Sequence, residues 1–192
     1  MSMTVKRRKD VKYPSVIIHK VADIRGGVSV NTSELGGDYL REGSVLSAPD
    51  NGITHVVKTA QTAAPVGATE KTIKVRKGHN FKLNDYVLAK ENSVAAKITA
   101  INTTSSKEYD TLTIGEALGE MALGESIAEA KAASTASQNT SVLKYAPLAI
   151  VGTGKAIEAN TNLDTDAWVM AVTKGNALPE CVAKHLKGII NY

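Results

Sequence analysis

Lys71–Gly115 reads KTIKVRKGHNFKLNDYVLAKENSVAAKITAINTTSSKEYDTLTIG, and its rhythm decides the fold. Lys71–Lys77 alternates polar and apolar residues cleanly, the period of a strand with one buried face. Gly78-His79-Asn80 breaks it. Asp85–Lys90 and Val94–Asn102 read as the next strands, and Thr103–Lys107 is a polar loop. Glu108–Gly115 is a further strand with Tyr109, Leu112 and Ile114 apolar. Strands at about ten-residue spacing, split by turn residues, predict a mainly β chain of small β-barrel or sandwich units.

Linker-like composition brackets this segment: QTAAPVGAT at Gln61–Thr69 and STASQNTS at Ser134–Ser141. Between Gly115 and Ala136, Ala and Glu favour helix, but Gly119 and Gly124 each cost roughly 1 kcal/mol in a helix interior. We read a turn at Gly119–Gly124 and a strand over Ser126–Ala133, with a helix as the alternative. Residues 66–133 are then expected to form a small β-barrel. It is inserted between the halves of a discontinuous domain, 13–60 and 142–192.

In the first half, Val16-Ile17-Ile18 is an apolar run and Val28-Ser29-Val30 alternates between two glycine pairs. Tyr39–Leu46 turns into a strand. Asp50-Asn51-Gly52 is a hairpin signal, because Asn-Gly readily takes the positive φ of a tight turn, and Ile53–Thr59 is the return strand. In the second half, Ala146–Val151 is a strand, Gly152-Thr153-Gly154 a hairpin turn and Lys155–Ala159 its return. Asn160–Thr165 is a loop and Ala167–Thr173 a strand. Pro179 suits the first turn of a short helix, which Gly188 is expected to end. The final strand carries Ile189, Ile190 and Tyr192. We expect it to be paired into a sheet and to serve assembly.

Composition limits the core. Of 192 residues, 43% are hydrophobic but only 4% aromatic, with one Trp and one Phe. A core of Val, Ile, Leu and Ala is thin, and association with other subunits commonly supplies the missing burial. The net charge of +4 belongs to the start of the chain. Lys6, Arg7, Arg8, Lys9 and Lys12 face only Asp10, leaving 18 basic and 18 acidic residues elsewhere. Residues 1–12 read as a flexible basic arm able to dock on nucleic acid or an acidic protein surface.

The lone Cys181 excludes an intramolecular disulfide and a Cys-based zinc site, and its apolar register predicts a buried small hydrophobe. No run reaches transmembrane length and no apolar h-region follows the basic start, so we expect no membrane partner and synthesis in the cytoplasm. His19, His55, His79 and His185 lack metal-site spacing, and His79 reads as an exposed turn residue. GTGK at Gly152–Lys155 lacks the phosphate-loop spacing, and Ala156 stands where the hydroxyl residue belongs. No nucleophile elbow exists. Asp164 and Asp166 read as loop punctuation. No catalytic residue, metal or cofactor is therefore assigned.

Single-strand nucleic-acid binding would use basic residues interleaved with aromatic platforms. Lys74, Arg76, Lys77, Phe81, Lys82 and Tyr86 are the candidates, but Phe81 is better placed as a core anchor, so nucleic acid is not the expected partner. A carbohydrate- or cell-surface-binding module would need exposed aromatics, from Trp168 and the six Tyr. A hydrolase is the least favoured reading.

Three stretches resemble bacteriophage head fibre and capsid decoration proteins: Leu40–Ala48 (LREGSVLSA), Leu148–Ala159 (LAIVGTGKAIEA) and Ala167–Tyr192, with its ALP and GI tail. The central segment departs from the minimal decoration domain. The resemblance implies a non-enzymatic, β-rich virion protein on the capsid surface. It also implies a homo-oligomer, with a trimer favoured, and a phage capsid protein as partner.

Overall fold

The computed structural model describes residues 13–158 and 161–192. The basic arm, with Lys6, Arg7, Arg8, Lys9 and Lys12, lies outside these residues, as do Ala159 and Asn160. The first part of the described chain forms β1 (Ile17–Asp23), β2 (Val28–Val30), β3 (Tyr39–Leu40), β4 (Val45–Ser47), β5 (Ile53–Thr54) and β6 (Val56–Val57). The middle forms β7 (Thr59–Gln61), β8 (Thr72–Arg76), β9 (Tyr86–Leu88), β10 (Ala95–Asn102), β11 (Tyr109–Ile114) and β12 (Ser126–Ala130). The last part forms β13 (Pro147–Val151), β14 (Lys155–Ala156), β15 (Leu163–Thr165), β16 (Ala167–Thr173), α1 (Glu180–Ala183) and β17 (Ile189–Asn191).

The fold is mainly β, with a short helix near the C-terminus. The central sheet has the order β7-β12-β9-β10-β11-β8. Its outer strands approach at a single bridge, Thr62 to Val75, where the Ala63 N–H donates to the Lys74 carbonyl at 2.8 Å. No sheet among the described residues is closed into a barrel by a continuous ladder. The terminal sheet runs β1-β16-β13-β4-β6, and β17 adds to β16 in parallel. Two small sheets, β14-β3 and β15-β2-β5, complete the fold.

Alternation builds the central core. Ile73 and Val75 of β8, Ile98 of β10, Leu112 and Ile114 of β11 and Ile127 of β12 bury together with Phe81. A second core lies between the two large sheets. There Leu88, Ala95, Ala128 and Ala130 meet Val45, Val57, Ile150 and Ala171, beside Cys181, Val182 and Leu186. This double coverage is why β12 is apolar on consecutive positions. A third core covers the other face of the terminal sheet through Leu40, Leu46, Val56, Ala149, Val151 and Ala167.

Asn51 and Gly52 take φ of 50° and 81°, the positive pair a tight hairpin turn requires. Three local expectations are corrected. The strand after Gly152-Thr153-Gly154 does not return along β13 but pairs with β3, so the segment is a crossover, not a hairpin. The helix is one turn, capped at Lys184, four residues before Gly188. The His79 side chain is buried rather than exposed, with Nε2 3.4 Å from Asp110 Oδ2.

Candidate functional site

Two features stand out: an apolar outer face on the terminal sheet, and a buried chain of charges centred on Lys58 and Glu129.

The apolar face lies on three adjacent strands. Val172 of β16 pairs with His19 of β1 on one side and Ile190 of β17 on the other. Ile190 is 63% exposed and Tyr192 66%, and Ile18, Val21 and Met170 are also exposed large apolar side chains on these strands or just beyond them. Ile189 turns inward, where it pairs with Ala171 and packs on the core between the sheets. Asn191 is tied to β16 because the Thr173 hydroxyl donates to its Oδ1 at 3.1 Å. Among the described residues β17 pairs only with β16, so it is an edge strand with one covered face. Edge strands with apolar exposure are templates for association.

The buried charges come from five loops and strand ends. Lys58, between β6 and β7, places Nζ 2.6 Å from Asp85 Oδ2 and 3.2 Å from Glu129 Oε1. Its side chain is 1% exposed, and that of Glu129 2%. Lys144 reaches the same Glu129 oxygen at 2.9 Å and Glu34 at 3.7 Å. Glu34 also accepts the Tyr145 hydroxyl at 2.8 Å and lies 3.2 Å from His55 Nδ1. The His55 ring stacks on Tyr145 at 4.3 Å. Strand pairing fixes this layout: the Glu129 N–H donates to the Lys58 carbonyl, and the Lys144 N–H to the Glu129 carbonyl.

Burial raises the Glu129 carboxyl, only partly opposed by Lys58 and Lys144. Burial also acts to raise Glu34, but the Tyr145 hydroxyl and the Lys144 and His55 charges outweigh it and hold Glu34 below 4.5. Tyr145 is pushed up to about 12 by burial and its bond to Glu34. Burial pushes the Cys181 thiol up to about 11, which leaves it a protonated core residue.

Of the remaining candidates, Lys74 and Arg76 stay exposed on β8, with Lys74 Nζ 5.4 Å from the centre of the Tyr109 ring, and the others are engaged by the fold. Phe81 is in the central core, Tyr86 packs between the sheets, Lys77 pairs with Asp110 at 2.6 Å and Lys82 Nζ donates to the Ser33 carbonyl. Trp168 is half-buried, donating from Nε1 to Asp166 at 2.9 Å. A Cβ on Gly152 would sit 2.1 Å from that nitrogen, so the first glycine of GTGK serves this close approach. Asp166 thereby braces Trp168. Hydrogen bonds from Trp168 and Thr153, with the Lys20 charge, hold its carboxyl below the usual value although burial opposes them. Among the described residues no group of three or more His, Cys, Asp or Glu could hold a metal, and no helix is long and apolar enough to cross a membrane.

The sequence reads the final strand correctly as a paired strand but hides the charge chain. Lys58 sits in an apolar VVKT run, and an isolated lysine there reads as solvent-facing. No family model, curated protein or solved structure matches the chain.

Proposed function

We propose that this chain is a non-enzymatic virion structural protein, a phage head fibre or capsid decoration protein, that self-assembles through its terminal sheet. The observation that carries the reading is the apolar face around Ile190, on an edge strand. Such a face gains free energy by leaving water, at roughly 25 cal/mol per Å², and symmetric pairing of edges is a common way to cover it. A trimer is the favoured stoichiometry on the resemblance. In this reading residues 66–133 act as an inserted small barrel displayed by the discontinuous outer domain. The arm at Lys6, Arg7, Arg8, Lys9 and Lys12 steers docking onto an acidic patch of a capsid protein, and the protein resides at the capsid surface.

Light scattering on the full chain across a wide concentration range tests it. The expected result is a defined oligomer with the mass of three chains. A strict monomer at high concentration contradicts the proposal. Deleting residues 1–12 is expected to weaken polyanion binding and reduce its salt dependence.

A further inference from the structure

We propose that Lys58 and Asp85 condense into an intramolecular isopeptide bond, with Glu129 as the proton-carrying acid. The three side chains come from three neighbouring positions in the central sheet. Lys58 precedes β7, Glu129 lies in β12 and Asp85 precedes β9, in the spatial order β7-β12-β9. Glu129 therefore comes from the strand between the segments that supply the amine and the carboxyl, and Lys58 Nζ touches both acids, at 2.6 Å and 3.2 Å.

The surroundings favour condensation over a permanent ion pair. Lys58 is nearly sealed from water, and an ion pair in such a place keeps a large desolvation cost. An amide removes one positive and one negative charge from the interior. It leaves Glu129 matched by Lys144 at 2.9 Å. Holding a nucleophile against its electrophile also replaces a bimolecular encounter with a positioned one. Asp85 Oδ2 accepts the Lys82 N–H at 2.7 Å, a donor aimed at the oxygen on which charge develops. Glu129 Oε1 receives both lysines, while its Oε2 is buried with no hydrogen-bond partner, free to carry a proton. Burial, which raises the Glu129 carboxyl, favours its protonated form in the same direction.

The step balances without a co-reactant. The Lys58 ammonium passes a proton to Glu129, and the neutral amine attacks Asp85 Cγ. Glu129 returns that proton to an Asp85 oxygen, and a second proton from the nitrogen follows by the same route. The N–C bond forms, the C–O bond breaks and water leaves. Nitrogen keeps one hydrogen, Glu129 ends as it began, and nothing is oxidised or reduced. The product staples two positions 27 residues apart. It is independent of the virion reading, because it concerns the interior of one chain.

The test is the intact mass of the full chain, folded, incubated and then denatured. The expected mass is lower than that of the sequence by one water. A tryptic digest should show no cleavage after Lys58 and one branched species joining the Lys58 and Asp85 peptides. Lys58→Arg keeps a positive charge and Glu129→Gln keeps the shape; both should show full mass and a lower melting temperature, since a closed loop restrains the unfolded chain. Full sequence mass for the folded wild type overturns the proposal, as does water loss mapped elsewhere. Water loss retained in Glu129→Gln overturns the role of the acid. Should the variants fail to fold, the wild-type mass and digest decide alone.

Discussion

The central and terminal sheets each have six strands, and they treat water in opposite ways. In the central sheet β8 and β11 alternate: they bury every second residue on the side of the Phe81 core and show Thr and Lys outside. The terminal sheet buries both faces along β4, β6 and β13, then opens at β1, β16 and β17, where Ile18, Met170 and Ile190 meet solvent. Exposed apolar side chains on an edge strand are a template for association, and the proposed assembly rests on the terminal sheet for that reason.

The largest expected effect lies where the two sheets meet. Lys58→Met removes the nitrogen held by both Asp85 and Glu129 and strands their buried carboxylates, at about 3–5 kcal/mol of stability in chemical denaturation. Leu112→Ala, in the interior of the central sheet, should cost about 2–5 kcal/mol by cavity creation. An effect on Leu112→Ala no larger than that of a surface change would break the contrast. Ile189→Asp, which turns a charge onto the core between the sheets, should cost about 2 kcal/mol or more.

A smaller effect concerns acid. Glu34 is held below 4.5 in the folded chain, so the unfolded chain binds more protons as pH falls through that value. The stability it contributes is therefore full above 4.5 and lost as pH drops through the lowered folded value. Glu34→Gln should flatten this acid-side slope in melts recorded over a pH series. An unchanged slope would mean that Tyr145, Lys144 and His55 do not act on Glu34 in solution.

Much of the fold was legible because its signals are local. KTIKVRK, the Asn51-Gly52 turn and AWVMAVT each declare themselves within a few residues, and β8, the turn and β16 follow them. What escaped is long-range. The pairing of β14 with β3 joins positions more than a hundred residues apart, and no local pattern encodes it. His79 looked like a turn residue because its neighbours are Gly and Asn; its burial depends on Arg41 and Asp110, from other segments. The Lys58–Glu129–Lys144–Glu34 chain draws on four distant loops and strands, so its members read singly as surface charges. The final strand was half legible. Alternation required Ile189 and Ile190 to face opposite ways, and which of them faces water is set by the register of β17 on β16.

The division of labour between the sheets is tested most directly by Ile190→Asp, measured for mass and melting temperature in one experiment beside the wild type. The account predicts a stability change within about 0.5 kcal/mol, as for a surface substitution, together with loss of the oligomer. A variant that assembles like the wild type, or a wild type that is already monomeric, would contradict it.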